Sequence, residues 1–356
     1  MSEPENGEIE SVRPATGGGA DRPAFRPFPG LVNPHVQTLA ARALRSRLEP
    51  RQRRTRIDTD DGDFLDLDVW PLDEPRAACL LLHGLEGSAR SGYVTATSRA
   101  LASHGIVGVG LNFRSCGGEP NRTAGSYHSG RTDDIARSLA WIGTRFPGLP
   151  RAAVGFSLGG NALLVHLGRT GEAAGVVCAA AVSVPFDLAA CSDALDRGLG
   201  RLYSRRFLRS LRRKARAKAR RFPDVVPARA AEASTMREFD EWLTAPVHGF
   251  RNAEDYYARS SSVRYLGDVR VPTLLIQSAD DPLVPAPSIP LARIAANPRL
   301  HMVLTERGGH VGFLARAGAA HADGWLETRL AAFVARMAGQ EPAAGPREAG
   351  GVNSRR

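Results

Sequence analysis

Cysteine is scarce, at 4 in 356 residues, and no pair has C-x-x-C spacing, which excludes a disulfide-stapled scaffold. Cys79 and Cys178 sit inside apolar runs, so these two with Cys116 and Cys191 read as reduced, mostly buried thiols of a cytoplasmic protein. No apolar run reaches the roughly 18 residues of a membrane helix. The longest, Ala173–Val184, is interrupted by Gly175. Met1–Ala20 has no apolar h-region, so no secretory signal is expected there. Metal spacings of the H-x-x-x-H or H-E-x-x-H kind are missing among the scattered His35, His128, His248 and His301. Gly155–Gly160 has neither the order nor the lysine of a phosphate loop. The expectation is a protein without metal, nucleotide or other cofactor.

What remains is globular. With 43% hydrophobic and 24% charged residues, 37 Gly and 24 Pro, the chain suits one large α/β domain or two ordinary ones with a sizeable core, and is neither collagen-like nor disordered throughout. The net charge of +10 is unevenly placed: Arg201 to Arg221 holds eleven Lys/Arg and no acid, which leaves 36 basic against 37 acidic residues elsewhere. An electroneutral body with one basic segment implies a surface patch or a lid. A nucleic-acid reader would be expected to carry a recognisable motif, and none is present.

Residues 1–24 and 339–356 are rich in Gly, Pro, Glu and Ala without periodicity and are expected as disordered tails. Phe25–Arg56 offers Pro-rich turns and an Arg-rich helix over Val36–Arg47. Strands are expected at Phe64–Trp70, Ala77–Leu82, Ile106–Leu111, Ala152–Phe156, Val176–Val182, Thr273–Gln277 and Leu300–Leu304. Helices are expected at Tyr93–Ser103, Asp133–Arg145, Leu158–Arg169, Ser288–Ala296 and His321–Met337. Continuous apolar strands alternating with helices predict a mostly parallel sheet buried on both faces, within one domain over 25–338. Between Val184 and Phe250 the alternation stops. Leu195, Leu199, Leu202, Leu208 and Leu211 form an expected apolar stripe among arginines, a helical cap of about residues 187–248 above the carboxyl ends of the strands.

Gly155-Phe156-Ser157-Leu158-Gly159 fits the nucleophile-elbow pattern G-x-S-x-G. Alone it is a weak signal, but here a strand precedes it and a helix follows. A sharp strand-to-helix turn would force Ser157 into strained dihedrals and lift its hydroxyl above the sheet, with small residues at 155 and 159 avoiding clashes. A serine needs a base to take its proton, and the base needs an acid to orient it. In the expected chain order the acid follows Thr273–Gln277 and the histidine follows the last strand. Those positions hold Asp280-Asp281-Pro282 and Gly308-Gly309-His310. Ser157 is therefore expected as nucleophile, His310 as general base and acid, and Asp281 as orienter. Asp280 stays open as the alternative acid, or as the residue of an Asx-type turn.

Two backbone amides should hold the oxyanion: Leu158 at the start of the post-nucleophile helix, and Leu85 in His83-Gly84-Leu85-Glu86-Gly87. His83 is expected to pack near the elbow rather than to catalyse. Asp133-Asp134 after Thr132 is expected to cap a helix start.

Seven segments together resemble the YheT-like α/β-hydrolases, bacterial relatives of the α/β-hydrolase-domain esterases and lipases. They are Asn33-Pro-His-Val-Gln-Thr38, His83-Gly-Leu-Glu-Gly-Ser88, Asn112-Phe-Arg-Ser-Cys-Gly-Gly-Glu-Pro-Asn121, Tyr127-His-Ser-Gly130, Gly155-Phe-Ser-Leu-Gly-Gly-Asn161, Arg237-Glu-Phe-Asp240 and Gly308-Gly-His-Val-Gly-Phe313. The resemblance covers about residues 25–338. It implies an α/β-hydrolase fold with a cap inserted after the sixth strand, a triad carried onto Ser157, Asp281 and His310, and a cofactor-free carboxylic ester hydrolase. The chain departs from that pattern at Ser115-Cys116 and in its Arg-rich cap. The expected function is hydrolysis of short- to medium-chain acyl esters or lipids through an acyl-serine. The alternative is a protein that contacts anionic membrane through Arg201–Arg221, with hydrolysis secondary or lost.

Overall fold

The structure, a computed structural model, describes residues 25–45, 52–315 and 324–339, with the backbone of Ile9–Glu10. One nine-stranded sheet organises it, in the order β1-β9-β8-β7-β6-β4-β5-β3-β2. The strands are β1 (Ile9–Glu10), β2 (Arg53–Asp58), β3 (Phe64–Val69), β4 (Ala77–Leu82), β5 (Ile106–Asn112), β6 (Arg151–Phe156), β7 (Cys178–Val182), β8 (Thr273–Ser278) and β9 (Leu300–Thr305). From β5 to β9 the neighbours run parallel, while β1, β2 and β3 pair antiparallel at the two edges. Alternation along β4 shows why the centre is apolar throughout. Ala77, Cys79 and Leu81 enter one core cluster, and Ala78, Leu80 and Leu82 enter another, because successive side chains point to opposite faces and both faces are covered.

Helices α1 (Pro34–Arg45), α2 (Gly92–Ala102), α3 (Asp133–Arg145) and α4 (Leu158–Thr170) precede the insertion, and Trp325–Met337 closes the fold. The expected Val36–Arg47 and His321–Met337 helices agree over their described parts; residues 46–47 and 321–323 lie outside the described residues. The expected Ser288–Ala296 helix is shorter, a 3-10 turn at Ala286–Ser288 followed by Leu291–Ala295, because Pro290 lacks the amide needed to join them. Within the segment expected as an N-terminal tail, Ile9–Glu10 pairs with the edge of β9, whose backbone groups are open to another strand. The rest of residues 1–24 and residues 340–356 lie outside the described residues.

Strand β2 is absent from the sequence expectation. Its partner register sets Arg54 opposite Asp68 and Arg56 opposite Asp66, and both pairs are bidentate, at 2.6–3.1 Å. Charge pairing across the ladder takes the place of apolar alternation. Likewise Asp134, expected only at a helix start, is buried beneath Arg114, whose guanidinium also binds Asp61 and Asp63 at 2.8 Å. Thr132 occupies the N-cap position of α3 without a side-chain cap bond.

Residues between β7 and β8 form no strand. Setting the two-residue β1 aside, this insertion follows the sixth strand. It contains α5 (Leu188–Leu195) and α6 (Gly200–Arg221). The expected single stripe is corrected here. Leu195 belongs to α5, the chain turns at Gly198 with φ +49°, and Leu199 and Leu202 are exposed at 58% and 60%. The buried face of α6 is Ser204, Leu208, Leu211, Ala215 and Lys218, the 3.6-residue spacing of one helix side. Leu195, Leu208, Leu211 and Ala215 join Val226, Met236, Phe239 and Leu243 in one cluster, which Leu283 of the hydrolase body also enters. No helix among the described residues is long and apolar enough to cross a membrane.

Candidate active site

Ser157 stands between β6 and α4 with φ 53° and ψ −121°, a backbone region that costs a non-glycine residue free energy and persists only under external constraint. The constraint is close packing. A Cβ on Gly155 would come within 2.5 Å of Gly159 O, and one on Gly159 within 2.6 Å of His83 O and Leu82 O. Only glycine lets β6, α4 and the His83 loop meet at this turn. The small-residue requirement read from the sequence is thus a backbone-to-backbone contact.

His310 Nε2 lies 2.9 Å from Ser157 Oγ, and His310 Nδ1 lies 2.9 and 3.1 Å from the Asp281 oxygens. A carboxylate can only accept, so Nδ1 carries the proton and Nε2 is free to accept from the serine hydroxyl. Asp281 is buried; its Oδ1 accepts from the amides of Leu283 (2.9 Å) and Val284 (3.2 Å). Asp280 does something different. Its Oδ1 accepts from Ser278 Oγ at 2.8 Å and from the Gly309 amide at 2.9 Å, tying the end of β8 to the histidine loop. The Asx-type turn foreseen for Asp280 is made by Asp281.

The histidine loop is held from two more sides. The His310 amide donates to Thr38 Oγ1 at 2.9 Å and the Val311 amide to Ser183 Oγ at 2.9 Å. Thr38 closes the Asn33–Thr38 segment on α1, and its contact across the fold gives no periodic signal in sequence. His83 is fully buried, donating Nδ1–H to Gly84 O (2.7 Å) and accepting the Phe113 amide at Nε2 (3.1 Å). Burial lowers its pKa to about 4, so it is a neutral packing residue beside the elbow.

Leu158 opens α4, where first-turn amides have no partner within the helix. The Leu85 amide donates to nothing among the described residues. Both residues line the same cavity as Ser157 and His310. The loop carrying Leu85 is fixed through Glu86, at φ 54°. The Glu86 amide donates to Tyr127 OH at 2.9 Å, and Tyr127 OH donates to Glu86 Oε1 at 2.7 Å. Lys214 of α6 reaches the same oxygen at 2.7 Å, and the Gly84 amide is held by Tyr93 OH at 2.9 Å. Nothing local in the sequence marks Lys214 or Tyr93 for these contacts.

The cavity has about 830 Å³ of empty space, part of it open to solvent, and is lined largely by apolar residues including Leu188, Leu195, Phe207, Leu211, Met236 and Phe239. An apolar lining around a few convergent polar groups is the character of a small-molecule site. Among the described residues no cluster of three His, Cys, Asp or Glu could hold a metal ion.

A parallel sheet with a serine on a strained strand-to-helix turn, a histidine after the last strand and an acid between them defines a class, and the comparison with known families agrees. The pattern of the α/β hydrolase fold family matches residues 78–317, and the chain belongs to that family, among carboxylic ester hydrolases of the esterase and lipase type. It is 38% identical over 313 residues to YheT of Escherichia coli, covering 86% of this chain and 91% of that protein. It is 31% identical to the mouse phospholipase ABHD3, over 78% of this chain and 70% of the relative. The Pyrococcus furiosus esterase Pf2001 shares the fold with a TM-score of 0.52 at 18% identity, covering 80% of this chain and 92% of that one.

Proposed function

We propose that the protein hydrolyses short- to medium-chain acyl esters or lipids through an acyl-serine at Ser157. Ser157 Oγ attacks the ester carbonyl as His310 Nε2 takes its proton. His310 then gives that proton to the departing alcohol, and activates the water that releases the acid from Ser157. Asp281 stays ionised and fixes the imidazole tautomer. The Leu158 and Leu85 amides stabilise the oxyanion, each contribution of this kind being worth roughly 100- to 1,000-fold in turnover. The observation that carries the reading is the 2.9 Å approach of His310 Nε2 to Ser157 Oγ, with Asp281 on the other ring nitrogen. Relatives that include a phospholipase support an ester or lipid as substrate. Ser157→Ala should abolish turnover of p-nitrophenyl esters and labelling by a fluorophosphonate while the circular dichroism stays unchanged. Persistent labelling of that variant would place the nucleophile elsewhere.

A second reading, contact with anionic membrane, has its own observation. None of the nine arginines of α6 has a carboxylate within 4.0 Å among the described residues. The exposed Leu199 and Leu202 adjoin them, and α1 leaves Val36 and Leu39 exposed beside Tyr203, to which His35 is bonded at 3.1 Å. A basic face with an apolar margin suits an anionic bilayer surface. Full-length protein should co-sediment with vesicles containing anionic lipid and be released by about 0.5 M salt. Equal binding to neutral vesicles, or none to anionic ones at low salt, would remove this reading and leave the first intact.

A further inference from the structure

Besides Ser157 and His310, the largely apolar cavity carries a group of polar side chains on the inserted segment and the helix that follows it. Asp240 Oδ1 accepts from Thr244 Oγ1 at 2.7 Å, Asp240 Oδ2 accepts from Tyr257 OH at 2.9 Å, and that phenol lies 3.1 Å from Ser192 Oγ. All four residues line the cavity that holds Ser157 and His310. No cation is ion-paired to Asp240 among the described residues. Arg237, three positions earlier, turns to Asp193 and Glu254 instead. A carboxylate offers about four acceptor sites, and two are filled here. Leaving an under-satisfied carboxylate in an apolar chamber costs free energy that a leucine would not.

The backbone departs from regularity at the same place. Between helical Met236–Phe239 and Ala245–Val247, residues Asp240–Thr244 form a single π turn. Such turns are rare and gather at functional sites. This one puts Thr244 against the Asp240 carboxylate. The Arg237-Glu-Phe-Asp240 motif therefore divides in two. Arg237 and Glu238, the latter accepting the Ser234 amide at 2.6 Å, anchor the segment, while Phe239 and Asp240 face the cavity. Burial raises the Asp240 carboxyl to about 6 against the opposing bonds from Thr244 and Tyr257 and the charge of Arg237, which leaves it mainly an ionised acceptor at neutral pH.

We propose that Asp240, with Tyr257, Ser192 and Thr244, forms a polar subsite, in the same cavity as Ser157, for a free hydroxyl on the substrate that is separate from the scissile ester. The subsite rests on the Ser157 reading and narrows its substrate class to hydroxyl-bearing esters. The hydroxyl belongs either to the alcohol part, as in a partial glyceride, or to a hydroxylated acyl chain. Three soluble esters separate these: glycerol monobutyrate, methyl 6-hydroxyhexanoate and methyl hexanoate. The wild type should favour one hydroxylated ester over methyl hexanoate by about tenfold or more in kcat/KM, mostly through KM. The ester favoured identifies which part carries the hydroxyl. Asp240→Leu should erase the preference and leave methyl hexanoate within about threefold, with Asp240→Asn, which keeps the side-chain volume, intermediate.

Binding without turnover gives an independent arm. By calorimetry Ser157→Ala should bind one of the two hydroxylated esters about tenfold more tightly than Ser157→Ala/Asp240→Leu does, with methyl hexanoate bound equally by both. Equal affinities, a wild type without preference, or an equal loss on all three esters in a folded Asp240 variant would overturn the subsite. Absence of turnover and of fluorophosphonate labelling in the wild type would overturn the Ser157 reading, while the calorimetric comparison would still decide the subsite.

Discussion

At position 281 the carboxylate faces His310 Nδ1 and is itself fixed by the Leu283 and Val284 amides, whereas at 280 it reaches across to the Gly309 amide and Ser278 Oγ. One shapes the imidazole and the other shapes the loop that presents it, so their amide variants should part widely. Asp281→Asn would offer His310 a donor where an acceptor is needed and disfavour the working tautomer. Turnover of p-nitrophenyl butyrate should fall on the order of 10,000-fold, through kcat. Asp280→Asn keeps an acceptor for Gly309 and should cost about tenfold or less. Equal losses would mean that the two carboxylates act as one structural unit. Chain order alone brings Ser157, His310 and an Asp-Asp pair together in the sequence. The groups that hold them were not legible. Thr38 and Ser183 secure the histidine loop from 272 and 128 positions away, and no local pattern marks such a contact.

Elements with an apolar period were read from sequence almost to their ends, and those held by charge were not. β4 and α3 match their expected bounds, because a continuous apolar run in the one and an amphipathic period in the other reflect burial directly. β2 carries Arg53, Arg54 and Arg56 in six residues and becomes a strand only because Asp66 and Asp68 stand opposite. In α6 the same limit applies: its sequence signals a basic helix but does not say which cations face inward. The chain has only two lysines, Lys214 and Lys218, and both face the hydrolase body. Lys218 Nζ donates to the carbonyls of Thr123, Ala124 and Gly125 at 2.5–3.0 Å, and Lys214 meets Glu86 beside the Leu85 amide. A compact ammonium with three donors suits such sites better than a planar guanidinium fork. The pair Lys214–Glu86 therefore joins the insertion to the loop proposed to bind the oxyanion. Lys214→Met and Glu86→Gln should each lower kcat by about tenfold with little change in KM. The double variant should lose little more than either single one, a coupling of about 1 kcal/mol by double-mutant cycle. Arg209→Ala, on the exposed face of the same helix, should change stability by no more than about 0.5 kcal/mol. Additive effects of the first two variants would show that the ion pair does not link cap and loop.

Across the whole molecule, titration is dominated by histidines that folding strips of water. Burial lowers His83 to about 4 and His248 to about 3, and takes His128 well below its ordinary value; His166 and His301 are also lowered. The His128 and His248 rings lie 4.5 Å apart with their planes inclined by 52°, and the Arg131 charge adds to both shifts. Each is neutral in the fold and takes up a proton more readily once unfolded, so stability present above about pH 6.5 is lost as the pH falls toward about 4. His83 alone accounts for about 3 kcal/mol of that loss. Two carboxyls work in the opposite sense. Burial raises Asp240 to about 6 and also raises Asp196, so their contribution is present below the ordinary carboxyl range and lost as the pH rises through the folded values. Asp63 follows a third course. Burial opposes its ionisation, but bonds from Asn121, the Arg122 amide and Thr123 outweigh this and hold it at about 2. Its contribution therefore survives until the pH drops below about 4. Burial also lowers Lys218 to about 7, so Tm should already begin to fall between pH 8 and 7 and should fall by about 5 °C or more between pH 6.5 and 4. His83→Gln, which can still donate and accept near Gly84 and Phe113, should make that fall shallower when followed by calorimetry across the same range. A Tm that held steady or rose on acidification would mean that these imidazoles are already protonated in the fold, and the dry interior described around the elbow would be wrong.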